Sequence, residues 1–240
     1  MKGILLTGGL GTRLYPLTRV INKHLLPLYD RPMFYWSLQT LIDSGIREIA
    51  IVSGPPTGEQ IKKALEFFPR SSVNLSFIEQ KEPRGMPDAI YSCKKFVGNS
   101  PFIMSVGDNL FGKNFKLEVK QFKRGAAAFV RKVKDPSMFG VAVFDKNNKV
   151  KSIVEKPKEF ISSWAVGAPY MFDNSALKKI KSLKPSKRGE LEIVDLLKRY
   201  IEEGSLRLLK RRDIWLDAGT PDSLLKANII AKKLSAKNPL

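Results

Sequence analysis

The sequence predicts an α/β protein with a Rossmann-like, mixed and mostly parallel sheet flanked by helices. Three observations predict it. Apolar runs of strand length alternate with helical segments through the first half of the chain. The first run, KGILLT (2–7), ends in a glycine-rich loop, GGLGTR (8–13). The most apolar run, PFIMSVGDN (101–109), ends in an acid, Asp108.

The elements follow in order. KGILLT reads as a buried strand closed by glycines. PMFYWSLQTLIDSG (32–45) suits a helix started by Pro32 and stopped by Gly45. REIAIVS (47–53) is the next strand. TGEQIKKALEFF (57–68) is an amphipathic helix with Ile61, Leu65 and Phe68 on one face, and Thr57 with Gln60 has the pattern of a capping box. VNLSFIEQ (73–80) is a strand, MPDAIYSCKKFV (86–97) a helix ended by Gly98, and 101–109 a strand. Such alternation implies parallel strands with crossover helices. The second half is mixed. Strands are expected at 126–133, 139–145, 149–156, 165–173 and 205–211, with a turn at Lys146-Asn147-Asn148. Helices are expected at 174–183, at 190–203 with Ile193, Leu197 and Ile201 on one face, and from about 221 to 235 behind Thr220-Pro221.

The chain has 240 residues, 43% hydrophobic and 27% charged, as in a soluble protein with a sizeable core. No apolar run approaches the ~20 residues of a membrane span. The start lacks the pattern of a signal peptide. The single cysteine, Cys93, excludes an internal disulfide, so a cytoplasmic protein is expected. The net charge of +19 favours anionic partners. The lysines are dispersed in pairs such as Lys62-Lys63 and Lys178-Lys179, which reads as a solvated surface. No helix-turn-helix, zinc-finger or aromatic-basic RNA signature is present, so neither a nucleic-acid nor a membrane partner is expected.

The glycine loop matches neither common phosphate fingerprint. It lacks G-x-x-x-x-G-K-[ST], and Leu14 stands where a dinucleotide loop needs its third glycine. It still carries a phosphate binder's parts. It follows a first strand, at the edge where open α/β sheets bind ligands. Gly8, Gly9 and Gly11 let backbone N–H groups approach an anion. Arg13 can fork onto phosphate oxygens, and Lys23 adds a point charge. A nucleotide or sugar phosphate fits this set; a plain glycine turn with exposed bases is the alternative. Asp108 after its strand suits a magnesium ligand shared with phosphates, and Asp217 in WLDAGT (215–220) would complete a two-carboxylate site if it converges there. Each acid alone is as well explained by a turn or cap.

Residues 8–27, GGLGTRLYPLTRVINKHLLP, resemble the signature of the sugar-1-phosphate nucleotidyltransferases. The resemblance continues through DRPMFYWSL (30–38), GDN (107–109), FGV (139–141), VEKPK (154–158), WAV (164–166), RGELEIVD (188–195) and WLDAGT (215–220), nearly the whole chain. It implies the nucleotide-diphospho-sugar transferase fold and Mg²⁺-dependent transfer of dTMP from dTTP to glucose-1-phosphate. A single domain over 1–240 is implied, with a nucleotide half over about 1–110, a sugar half over about 111–220 and a terminal helix. By the same resemblance Gly8, Gly9, Gly11, Thr12, Arg13, Gln80, Gly85 and Asp108 bind the nucleotide. Asn109, Gly140, Glu155, Lys156 and Val166 bind the sugar phosphate. Asp108 and Asp217 hold Mg²⁺, and Arg13, Lys23, Asp108, Lys156 and Asp217 form the catalytic set.

Four departures stand out. Thr7 replaces an alanine, His24 the usual glutamine after the loop lysine, Asp88 an amide, and Val166-Gly167-Ala168 the usual V-T-G. A catalytic His24 is not needed, because a phosphate oxygen is already a nucleophile. Longer relatives carry extra C-terminal helices, so feedback control and tetramer contacts do not follow from the resemblance, and a homo-oligomer stays open. The alternatives are a UTP-using or dual-specificity enzyme, another sugar-1-phosphate, and a non-catalytic sugar-nucleotide-binding regulatory protein. The last should have lost Arg13, Lys23, Asp108 or Asp217, and all four are present.

Overall fold

The computed structural model describes residues 1–68 and 73–236. In chain order the strands are β1 (Lys2–Leu6), β2 (Pro27–Leu28), β3 (Arg31–Pro32), β4 (Glu48–Ser53), β5 (Asn74–Glu79), β6 (Phe102–Val106), β7 (Asn109–Phe111), β8 (Ala126–Lys132), β9 (Gly140–Phe144), β10 (Val150–Glu155), β11 (Trp164–Phe172), β12 (Leu206–Lys210) and β13 (Trp215–Asp217). The helices are α1 (Met33–Asp43), α2 (Gly58–Glu66), α3 (Met86–Ser92), α4 (Lys94–Val97), α5 (Lys116–Gln121), α6 (Ser175–Lys181), α7 (Ile193–Glu202) and α8 (Pro221–Ser235). No helix among the described residues is long and apolar enough to cross a membrane. The architecture is the α/β one expected, a mixed sheet flanked by helices, and the chain divides into two compact units.

The glycine-loop unit comprises Lys2–Pro83, Ser105–Lys120 and the chain from Asp213. Strand β1 runs parallel to β4, and β4 parallel to β5. Ile4, Leu5, Ile49 and Ile51 are fully buried, as strands covered on both faces require. Helix α1 buries Phe34, Leu38 and Leu41, and the chain turns at Gly45, whose φ of 90° a side chain would oppose. Helix α2 buries Ile61 and Leu65. Strands β7 and β13 pair antiparallel, with Asp217 opposite Asn109. Helix α8 starts on a capping box between Thr220 and Ser223, with Pro221 in its first turn. Its fully buried Ala227 and Ala231 pack in one apolar cluster with Leu14, Leu110 and Ala218.

The second unit is chiefly Arg84–Met104 and Gln121–Arg212. Strand β11 pairs antiparallel with the first three residues of β6, with β8 and with β9; β12 runs parallel to β8. The register of β11 against β8 slips between Gly167 and Tyr170, around Pro169, which has no N–H to give a ladder. Strands β9 and β10 pair antiparallel through the expected turn, where Asn148 takes a φ of 62° and Asp145 Oδ1 accepts from the Asn147 and Lys149 N–H groups. Helix α7 buries Ile193, Leu196, Leu197 and Tyr200.

Three local expectations are corrected. Thr57 is the N-cap of α2, but neither it nor Gln60 caps the helix. Thr57 Oγ1 accepts from Asn22 Nδ2 at 2.9 Å, and Gln60 Oε1 accepts from the Asn22 N–H at 2.8 Å. Donors from a distant loop outcompete the helix's own N–H groups. The helix at 86–97 is two pieces broken at Cys93. The strand ending in GDN stops at Val106, although the Gly107 N–H still donates to the Leu6 carbonyl of neighbouring β1 at 2.8 Å, and Asp108 sits in the turn before β7.

Candidate active site

In the glycine-loop unit the chain leaves β1 at Thr7, whose N–H and hydroxyl both donate to the Val52 carbonyl. Gly9 and Gly11 then take φ values of 100° and 63°. A Cβ at Gly11 would lie 3.0 Å from Lys23 Cβ and 3.2 Å from Thr18 Cγ2, so glycine is required there twice over. A short 3-10 turn over Thr12–Leu14 buries Leu14 and leaves Thr12 and Arg13 exposed. One cavity joins Gly8 and Gly9 to Gly54, Thr57 and Gln80. A Cβ at Gly54 would fall 1.9 Å from the Gln80 carbonyl oxygen, and one at Gly8 would lie 3.9 Å from Gln80 Oε1. Missing side chains thus let the Gln80 amide lie along the loop.

The charged residues lie behind that loop. Lys23 sits on a 3-10 turn and pairs with Asp108 at 2.5 Å; both side chains are largely buried. Asp108 Oδ1 accepts from Asn109 Nδ2 at 3.1 Å, and the Asp108 carbonyl accepts from the Ala218 N–H at 2.9 Å. Burial alone would push the Asp108 carboxyl up; the ion pair with Lys23, helped by Arg13, outweighs it and holds the group below the usual carboxylate range. Asp217 follows the opposite balance. Burial and then repulsion from Asp108 push its carboxyl up against Lys23 and Arg13. Its Oδ1 accepts from the Gly219 N–H at 2.7 Å and lies 3.9 Å from Arg13 Nη2.

Two mutually repelling carboxylates among phosphate-seeking cations fit a hard divalent ion. Magnesium is commonly held by one or two carboxylates completed by substrate phosphates. Asp108 and Asp217 repel one another, and among the described residues no group of three or more His, Cys, Asp or Glu side chains could hold a metal ion.

Asn109, expected at the sugar phosphate, is buried with its amide committed at both ends. Its Oδ1 accepts from Trp215 Nε1 at 2.5 Å and its Nδ2 donates to Asp108. His24 is buried, and burial first, then Lys23, push its imidazole down to about 3.

The second unit carries the other expected residues. Gly140 opens β9 opposite Glu155 at the end of β10 and Val166 in β11. A Cβ at Gly140 would lie 2.7 Å from Val194 Cγ2, so α7 packs over a bare backbone. Glu155 Oε1 lies 3.9 Å from Lys156 Nζ and 3.7 Å from Arg188 Nη2. Arg188 also grips both oxygens of Glu192, at 2.9 and 2.8 Å. Burial pushes the Glu155 carboxyl up, Lys156 opposes, and Glu192 adds to the rise. Lys156 takes a φ of 41°, unusual for a side-chain-bearing residue. Gly85 has a φ of 100°, and a Cβ there would fall 2.2 Å from the Leu191 carbonyl oxygen. The backbone before α3 therefore lies directly on the segment leading to α7.

The family model for nucleotidyl transferases matches residues 2–233. The chain belongs to that family. A Neisseria meningitidis relative named glucose-1-phosphate thymidylyltransferase is 43% identical over 233 residues, covering 95% of this chain and 81% of that one. A Mycolicibacterium smegmatis relative of the same name is 39% identical and spans all of this chain and 85% of its own. Among solved structures, a Bacillus anthracis candidate glucose-1-phosphate thymidylyltransferase superposes with a TM-score of 0.89 at 40% identity, covering 97% of this chain and 95% of that one. A UDP-glucose pyrophosphorylase bound to UDP-glucose shares the fold, with a TM-score of 0.87 at 22% identity, covering 97% and 98% of the two chains.

The structure thus brings Gly8, Gly9, Gly11, Thr12, Arg13, Lys23, Gln80, Asp108, Asn109 and Asp217 into one unit, and Gly85, Gly140, Glu155, Lys156 and Val166 into the other. Sequence reasoning assigned no role to Asn22, Gly54, Arg188, Glu192 or Gly219. Arg188, Glu192 and Gly219 lie inside the family-like blocks RGELEIVD and WLDAGT, which was a usable signal. Gly54 is flagged only by the following Pro55-Pro56.

Proposed function

We propose that this chain transfers dTMP from dTTP to glucose-1-phosphate, giving dTDP-glucose and pyrophosphate, with Mg²⁺ as the ion. The observation that carries the reading is the gathering of Arg13, Lys23, Asp108 and Asp217 behind one glycine loop, in a chain whose relatives bear that enzyme's name. A phosphate oxygen of the sugar phosphate attacks the α-phosphorus in line. The bond from that phosphorus to the bridging oxygen breaks, and pyrophosphate leaves with the electron pair. No proton need move, so the work is positioning and charge stabilisation.

Gly8, Gly9, Gly11 and Thr12 receive the triphosphate along bare backbone, and Arg13 holds the departing pyrophosphate. Lys23 stabilises charge at the reacting phosphates. Gln80 hydrogen-bonds the pyrimidine edge, and Gly85 borders the base. Asp108 and Asp217 hold the ion, which when bound neutralises charge on the phosphate oxygens. Glu155 accepts from sugar hydroxyls beside Gly140 and Val166, while Lys156 grips the sugar phosphate. Asn109 serves by orienting Asp108.

The test is a panel of nucleoside triphosphates with glucose-1-phosphate and Mg²⁺, followed by pyrophosphate release. The fastest turnover is expected with dTTP. Uracil lacks one methyl, a difference of ~1–3 kcal/mol in discrimination. Equal or faster turnover with UTP would make the chain a uridylyltransferase, and no turnover with any pairing would end the reading. Asp108→Ala should abolish turnover; survival with normal metal dependence would rule out this metal site.

A further inference from the structure

His24 is the only histidine of the chain, and it stands beside Lys23 where the family pattern has an amide. It is 1% exposed. A Cβ at Gly107 would lie 2.8 Å from its Cδ2, so the ring is packed against bare backbone. Its nearest side-chain partner is Asn22, two residues back and 3% exposed, and the ring also hydrogen-bonds the Thr7 backbone. Asn22 Oδ1 accepts from the His24 backbone N–H at 2.9 Å and lies 2.8 Å from His24 Nδ1. Asn22 Nδ2 donates to the Thr7 carbonyl at 3.1 Å and to Thr57 Oγ1 at 2.9 Å. The Asn22 backbone N–H donates to Gln60 Oε1.

These contacts leave one self-consistent assignment. A backbone N–H only donates, so the atom facing it is the Asn22 oxygen. The amide nitrogen then faces two oxygens, as it should. The same oxygen faces His24 Nδ1, so Nδ1 must carry a proton and donate. With that bond in place the Asn22 amide is held between β1, α2 and the turn that presents Lys23. Lys23 is confined on the other side by Gly11, at whose Cβ position its own Cβ would be 3.0 Å away.

We propose that His24 is a fixed hydrogen-bond donor which locks Asn22 and so positions Lys23 against Asp108, a positioning residue and neither acid nor base. The reading of Lys23 as a phosphate-handling group comes from the proposed transfer reaction; the lock itself does not depend on it.

The closing experiment has two arms. Because the chain has one histidine, ¹⁵N NMR of the full-length protein at neutral pH reports a single imidazole. A proton on Nδ1 is expected, and an unprotonated Nδ1 overturns the proposal. The second arm compares His24→Asn, which keeps an N–H near the Nδ1 position but leaves a cavity, with His24→Leu, which keeps volume and lacks the donor. The Asn variant should melt earlier yet keep kcat within about threefold, while the Leu variant should melt near the wild type yet lose about a hundredfold in kcat with little change in KM. A purely structural histidine would make activity follow the melting point, and that ordering overturns the proposal. If the wild type shows no turnover, the transfer reading fails and the tautomer alone judges the lock.

Discussion

Replacing Gly219 by alanine should damage turnover far more than stability. Gly219 does not occupy the left-handed region, so the backbone accepts a side chain. The methyl group would nevertheless fall 2.6 Å from Asp217 Oδ1 and 2.7 Å from Arg13 Nη2, where ordinary contact begins at 3.4 Å. Restoring that contact moves the carboxylate by 3.4 − 2.6, or about 0.8 Å, and the guanidinium by nearly as much. Misplacement of about 1 Å in a catalytic group can cost on the order of 10²-fold. Both side chains are partly exposed and yield at their tips, so the stability change should stay near the ±0.5 kcal/mol of a surface substitution, or roughly 1–2 °C in a chain of this size. Pyrophosphate release and a thermal melt on the same sample read the two effects. Turnover within about twofold of wild type would refute the reasoning, since 10² was expected. So would a loss that merely tracks the folded fraction.

Three further outcomes follow from the same geometry. Gly85→Ala places a methyl 2.2 Å from a backbone oxygen at a φ of 100°, so strain and overpacking of roughly 2–5 kcal/mol should lower the melting midpoint by at least about 4 °C; an unchanged midpoint would contradict the close approach to Leu191. Asp108→Asn leaves the Lys23 ammonium without its counter-charge, and breaking such a buried pair costs about 3 kcal/mol at the low end of its range; adding Lys23→Met should recover most of that loss in a denaturant titration, and failure to recover would show that the pair is not the cause. Hydrogen bonds from Arg31 first, and then one from Ser235, hold the Asp30 carboxyl at about 2 against an ordinary 3.8. A depressed acid stabilises the fold above its ordinary pKa, and that stability fades as pH falls through the native one. Asp30→Asn should therefore lower the melting midpoint at neutral pH, with the gap to wild type closing between pH 3.8 and about 2; a gap constant over that range would exclude the ionic contribution.

What was legible in the sequence was local or periodic. Strand β1, the positive-φ glycines at 9 and 11, the amphipathic faces of α2 and α7 and the Thr220 start of α8 all express preferences of neighbouring residues. The pairing of Asp108 with Lys23 is different in kind, because 85 residues separate them. The partner of Asn109 was hidden for the same reason: its amide oxygen accepts from Trp215, 106 residues away. The pattern at Thr57 and Gln60 was a fair local signal that lost to Asn22, a donor from another loop. Arg188 and Glu192 stand four apart and could have been read as a pair, but only the fold shows that Arg188 also reaches Glu155.

The antiparallel pairing of β7 with β13 has a consequence for biosynthesis. Asp108 and Asp217 are 217 − 108, or 109, residues apart. At a synthesis rate of about 5–20 residues per second the second acid leaves the ribosome roughly 5–20 s after the first. Through that interval the strands β8 to β12 are made, and Lys23, already synthesised, is the partner within reach of Asp108. Any chain cut short before residue 213 would carry the glycine loop and the lysine but only one of the two acids. On the proposed reading, the second carboxylate of the ion site therefore arrives only with Trp215-Leu216-Asp217, after all of β8 to β12.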